Sequence, residues 1–229
     1  DLAFIFYLIK NEKVPTGKEG PAAEALTDKM FQAINKSAWE TTPYITWNFA
    51  DRNQYVWDKI NHNVEVRSGT SRVLLNTKRV DGIAYDNEVE VTGDKANKLI
   101  QKAWSNFCND SFWLNAPSKA RDPGTSRYLV NTKDGKEALM IKYNSGGVTP
   151  GDTYLWFLDE TGLPTSYKMW VKIIPIGGVE WGWNDWLTLN DGAKVSSLHK
   201  GLFDIQIKDL KAGNTLQELG APSDLFAKL

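Results

Sequence analysis

Short runs of alternating apolar and polar residues, broken by turn formers about every nine residues, dominate the chain from residue 44 onward. Residues 44–49 (YITWNF) turn at Asp51-Arg52-Asn53 into 54–58 (QYVWD). Asn61-His62 then leads to 63–67 (NVEVR), and Ser68-Gly69 to 71–76 (SRVLLN). Ile45, Trp47 and Phe49, like Val64 and Val66, recur at every second residue, the period that turns one face of a strand into a core. Further strands are expected at 128–131, 137–143, 152–158, 165–174, 179–189 and 201–208. Connections this short leave no room for crossover helices, so neighbouring runs pair antiparallel.

Two stretches follow a helical period instead. In 21–39, Ala25, Leu26, Met30, Phe31 and Ile34 recur at spacings of three and four. In 94–108, Asp94 is suited to cap a helix whose stripe is Ala96, Leu99, Ile100, Ala103 and Phe107. Two helices are too few for a doubly wound parallel sheet. The expected fold is mainly β (α+β): a strongly curved antiparallel sheet forming an unclosed half-barrel, with helices covering one face.

Composition narrows the function. The chain has 229 residues, enough for one large β domain, and 41% are hydrophobic against 24% charged, so a sizeable core can form. Lys and Arg number 27 against 28 Asp and Glu; a net charge of -1 gives no footprint for a nucleic-acid backbone. Cys108 stands alone, which excludes an intramolecular disulfide and a thiolate cluster. Ten tryptophans are the compositional outlier, and large aromatics either fill β cores or line apolar sites.

Residues 2–9 (LAFIFYLI) are continuously apolar and are followed by Lys10, Asn11, Glu12 and Lys13. That run is far shorter than the roughly 20 residues a spanning helix needs, and it reads as the end of a truncated anchor or signal segment. The polar, Pro/Gly-rich 14–21 (VPTGKEGP) reads as a tether. The expected organisation is therefore anchor remnant and linker at 1–21, the β domain at 22–213 and a C-terminal tail at 214–229.

No catalytic set is apparent. His62 sits in a turn; His199, in HKGLFDIQI, has Asp191, Asp204 and Asp209 near it in sequence. The chain has no HExxH, no spaced Cys/His pattern and no GxSxG elbow, so neither a metal nor a cofactor is expected. Gly146-Gly147 lacks the ending of a phosphate-binding loop and reads as a hairpin loop. Asp152 and Asp159 mark the two ends of one strand.

Two segments are less bland. Residues 112–125 (FWLNAPSKARDPGT) set Phe112, Trp113 and Leu114 beside Lys119 and Arg121, a combination that can form the mouth of a lipid site and hold its head group. The alternatives are aromatics packed on the core and an Arg121–Asp122 pair. In 179–189, Trp181 and Trp183 share a strand face, with Gly182 between them able to bend the strand. Tyr167 and Met169 form a similar row, and Tyr154 and Trp156 a third pair. Three such strands side by side build an apolar surface, which serves as core or as ligand cavity.

The strings FWLNAP, RDPGT, YNSGGVTPGDTYLW, KMWVKIIPIGG and LHKGLFDI, in this order, resemble an uncharacterised bacterial envelope family within the LolA/LolB-like lipoprotein-carrier superfamily. The similarity runs from about residue 44 to 213. It implies an unclosed antiparallel half-barrel whose apolar hollow, lidded by helices, receives acyl chains. An apolar start such as 2–9 departs from a soluble carrier, and no functional motif of the true carriers is matched, so no site residue is transferred.

The expected function is an extracytoplasmic binding protein, periplasmic and membrane-associated, that holds a lipid, an acylated protein or another apolar ligand. The apolar lining would be Trp113, Tyr154, Trp156, Tyr167, Met169, Trp181 and Trp183, with Lys119, Arg121 and His199 at the mouth. The alternatives are an envelope enzyme for a small or sugar-like substrate, using Arg121/Asp122 or an exposed His199, and a scaffold that meets a protein partner through an aromatic patch.

Overall fold

The computed structural model describes residues 11–145 and 151–229. The expectations for 2–9 and for Gly146-Gly147 lie outside the described residues. Within them the chain is mainly β, with strands in two unclosed antiparallel sheets and few helices. The helices are α1 (Pro21–Ala33), α2 (Lys36–Thr41) and α3 (Gly93–Asn115). Strands β1 (Tyr44–Phe49), β2 (Asn53–Asp58), β3 (Asn63–Ser68), β4 (Ser71–Asn76), β5 (Asp81–Asp86) and β6 (Val89–Val91) form a meander. After α3 come β7 (Thr125–Asn131), β8 (Glu137–Tyr143), β9 (Thr153–Leu158), β10 (Pro164–Trp170) and β11 (Val179–Gly182), which make a five-stranded sheet in the order β11-β10-β9-β8-β7. Last are β12 (Asn184–Thr188), β13 (Lys194–His199) and β14 (Ile205–Gly213), and the nine-stranded sheet runs β12-β13-β14-β1-β2-β3-β4-β5-β6.

The chain divides into two compact units. One comprises Ser37–Leu114, Leu187–Ser197 and Ile205–Leu229. Its meander follows the expected hairpins, extended by β5 and β6, which sequence periodicity missed because Gly82 and Ala84 blur the alternation. Asn87 and Glu88 close the β5–β6 hairpin with φ of 49° and 60°, the twist a two-residue hairpin turn requires. The α3 stripe Ala96, Ile100, Ala103 and Phe107 is buried as expected and continues through Asp110, Trp113 and Leu114. Phe107 meets Trp57, Tyr55 and Trp47 at ring distances of 5.1, 6.3 and 6.4 Å, so α3 covers this unit's sheet. Cross-strand neighbours Trp47 and Tyr55 stack at 4.4 Å beneath it.

The other unit comprises the described residues up to Lys36 with Asn115–Trp186 and Leu198–Asp204. Helix α1 packs on β7 and β8. Its buried face is Ala23, Thr27 and Met30, followed by Ile34, while Ala25 is exposed and Leu26 and Phe31 are half-buried. The expected stripe is thus rotated: Thr27 occupies the inner face because its hydroxyl donates to Ala23 O at 2.8 Å and needs no outside partner. Asn35, at φ 52°, separates α1 from α2 where one helix was expected. The 14–21 stretch is fixed to the sheet edge: Lys18 exchanges backbone hydrogen bonds of 2.9 and 2.8 Å with Leu129.

Strands β8 and β9 are apolar on both faces, with four consecutive buried residues each. One face gathers Val130, Ala138, Met140 and Leu155 with Tyr128, Phe157 and Trp170 around them. The opposite face carries the aromatic residues described below. The single strand expected over 179–189 is broken at Trp183 into β11 and β12, members of different sheets. The strand expected over 201–208 begins later, as β14 at Ile205, with Leu202 and Phe203 exposed before it, and β13, ending at His199, was not expected.

Candidate ligand-binding face

The register of β9, β10 and β11 gathers five of the seven residues expected as an apolar lining, and Trp183 joins them from just beyond β11. Trp156 pairs with Tyr167, Tyr154 with Met169, and Tyr167 with Trp181 across the next strand boundary, so alternate residues emerge on one face. The rings then meet edge to face: Tyr154–Tyr167 at 5.2 Å, Trp156–Tyr167 at 5.0 Å and Trp156–Trp183 at 4.9 Å. Tyr143 extends the row, 5.7 Å from Tyr154. Trp113 is buried in α3 of the other unit.

Trp183 reaches this cluster from the break between β11 and β12. Gly182 makes the break: its N–H donates to Lys200 O at 2.6 Å, its carbonyl lies 3.2 Å from His199 Nδ1, and a Cβ there would stand 2.3 Å from Asn184 Oδ1. The next amide, Trp183 N–H, donates to Thr165 O at 2.8 Å, which turns the indole inward. Trp181 is overlaid by the ring of Phe203 at 5.0 Å, and Gly201 approaches so closely that an added Cβ would lie 2.3 Å from the indole.

The face is uncharged. Burial pushes the phenols of Tyr143, Tyr154 and Tyr167 above the ordinary tyrosine range, and the Asp152 carboxylate adds to this at Tyr154. These tyrosines therefore present neutral rings at every physiological pH.

The polar residues expected at a mouth are held by other groups. Lys119 pairs with Asp122 at 2.7 Å. Arg121 does not pair with Asp122 but reaches α1, with contacts of 2.8 Å to Glu24 and 2.5 Å to Asp28. Arg127 on β7 adds a 2.6 Å bond to Glu24. These two guanidiniums hold Glu24 below the usual carboxylate range, Arg127 contributing most, and the carboxylates beside Arg121 raise its pKa. The stretch before them is the last turn of α3 and a buried 3-10 turn at Ala116–Lys119, with Trp113 and Leu114 buried, as in the alternative of aromatics packed on the core. His199 is wholly buried, 4.4 Å from the Trp183 ring. A catalytic His199 was expected to be exposed in a cleft, and its burial counts against that alternative.

Sequence reasoning missed two polar features of the unit containing α3. Asp110, buried under the helix, accepts hydrogen bonds from Tyr55 and Asn53 of β2. Only its position on the helical stripe could have revealed it. A polar cavity of about 260 Å³ lies at the hairpin ends, lined by Arg52, Gln54, Arg67, Ser71 and Glu88 among others. Its lining was read as strand ends and the turns between them, and β2, β3 and β4 end there.

Fold and face together define a mainly β protein with unclosed antiparallel sheets and an aromatic, uncharged sheet face. No family model matches the chain, and no curated protein matches it. Among solved structures it is similar to a DUF1329 family protein from Desulfovibrio piger, with a TM-score of 0.40 and 9% identity, covering 84% of this chain and 93% of that one. Among the described residues no helix is long and apolar enough to cross a membrane.

Proposed function

We propose that this is a binding protein of the bacterial envelope, on the periplasmic side, that shelters an acyl chain or similar apolar ligand against the face formed by Tyr154, Trp156, Tyr167, Met169, Trp181 and Trp183. The observation that carries this reading is the make-up of that face: six large uncharged side chains, of which Tyr154, Tyr167, Trp156 and Trp183 are joined by ring contacts. The likeness of the sequence strings to an uncharacterised envelope family of the LolA/LolB-like superfamily agrees with it. At ~25 cal/mol per Å² of apolar surface, one long acyl chain gains several kcal/mol before ordering costs.

Loading requires the rings to be uncovered, and on this reading two pieces of the same unit would have to give way. Helix α1 is tied down through exposed ion pairs to Arg121 and half-exposed ones to Arg127. The loop carrying Gly201, Leu202 and Phe203 lies over Trp181 with its apolar side chains largely in solvent. The ligand would be a lipid or the acyl group of a modified protein. An alternative role as a scaffold has one observation in its favour, the exposure of Leu202 at 79% and Phe203 at 61%.

The test is native mass spectrometry of protein purified from membranes, with solvent extraction of what it carries. A series of lipid masses in the wild type, lost from a Trp181→Ala, Trp183→Ala variant, is the expected result. Unchanged loading in that variant would move the site elsewhere, and a ligand-free wild type would favour the scaffold.

A further inference from the structure

Trp156 and Trp183 are 0% and 1% exposed, and neither indole Nε1 has a hydrogen-bond partner. Their rings lie 4.9 Å apart. Two tryptophans of the same unit are satisfied in this way: Trp170 Nε1–H donates to Glu12 O at 2.7 Å, and Trp186 Nε1–H to Pro164 O at 3.0 Å. Trp47, in the other unit, also has a buried indole nitrogen with no partner and stacks on Tyr55, but Trp156 and Trp183 are two such indoles in contact with each other. A buried donor left without an acceptor is destabilising, and a cluster that needed only bulk would be better filled by phenylalanine.

We infer that the ligand of this face carries a hydrogen-bond acceptor beside its alkyl chain, and that Trp156 and Trp183 are the donors that read it. The inference rests on the binding face proposed above. An indole N–H can only donate, so the matching group is an acceptor. The tyrosines around it are neutral, and a buried ion needs a paired charge, so the group is a neutral carbonyl oxygen of an ester or amide rather than a carboxylate. This selects acylated molecules over plain hydrocarbons. The two indoles fix the depth at which the head of the chain stops, while the other rings of the face contact its methylenes.

Two probes of similar length separate this inference from the reading beneath it. Protein is incubated with emulsions of methyl pentadecanoate or of hexadecane, freed of excess by gel filtration, extracted and assayed by gas chromatography. The wild type is expected to load the ester at least roughly ten-fold better, the discrimination of one buried hydrogen bond or more. Trp156→Phe and Trp183→Phe keep a ring and remove the donor. Each is expected to lose most of that preference, read as the ratio of ester to hexadecane loaded, and circular dichroism checks that each folds. Equal loading of both probes by the wild type overturns the inference and leaves the apolar face standing, a result that needs no variant. An ester preference that survives in both Phe variants also overturns it. Loading of neither probe overturns the face and the inference together.

Discussion

Tyr55 on β2 donates its phenolic hydrogen to Asp110 on α3 at 2.6 Å, and the same carboxylate oxygen accepts from Asn53 at 2.8 Å. Asp110 is buried, and burial raises its pKa despite these donors. Between the ordinary aspartate value and the raised one, the folded state holds the proton and the unfolded state does not. The stability this group contributes is therefore complete below about pH 4 and is lost as pH rises through the folded value. Asp110→Asn is expected to flatten that loss, so urea melts of variant and wild type should converge, or cross in the variant's favour, as pH rises from about 4 to about 8. Tyr55→Phe, which strips one donor from the buried carboxylate, is expected to cost roughly 1.5–3 kcal/mol at neutral pH.

Glu24 tests the hold on α1. Its folded pKa is lowered by Arg127 and Arg121, so its contribution is present above the usual value of 4.5 and fades as pH falls through the folded one. Pairs this exposed contribute roughly 0.2–1 kcal/mol each and are screened by salt. Glu24→Gln is expected to speed amide hydrogen exchange in α1 at neutral pH and low salt, and to leave α3 unchanged. Raising the salt should reproduce part of the effect in the wild type.

Gly201 lies where a Cβ would stand 2.3 Å from the Trp181 ring. Gly201→Val is expected to lift the loop from the indole, with a red shift of tryptophan emission and faster ligand exchange. An unaltered spectrum would mean that the loop gives way without uncovering Trp181.

Trp156 touches both Tyr167 and Trp183 and is wholly buried. Trp156→Ala is expected to destabilise the protein by about 3–5 kcal/mol in chemical denaturation, as large-to-small changes in a packed core do.

Much of this was legible in the sequence, for physical reasons that can be named. The alternation of Ile45, Trp47 and Phe49 marks β1, because a half-buried strand has no other way to sort its residues. Tyr154, Trp156, Tyr167 and Met169 were grouped correctly because strand period alone sets their shared face. Trp183 was assigned to that face as part of a continuous strand, whereas it arrives there from a break at Gly182. Partners were not legible. Arg121 and Glu24 are 97 residues apart, and no local pattern joins them. Asp110 reads as a polar interruption of the α3 stripe until β2 supplies Tyr55 and Asn53.

The pairing of β1 with β14 has a consequence for how the chain is made. Tyr44 finds its partner at Gly213, while the hairpins from β1 to β6 join residues close in sequence. During synthesis the meander can therefore zip early, but the outer edge of β1 stays open until β14, as far as Gly213, has left the ribosome. Contacts of such separation close slowly, and an open edge rich in Trp and Phe is a template for wrong pairing. Chaperone demand during folding should centre on that one seam.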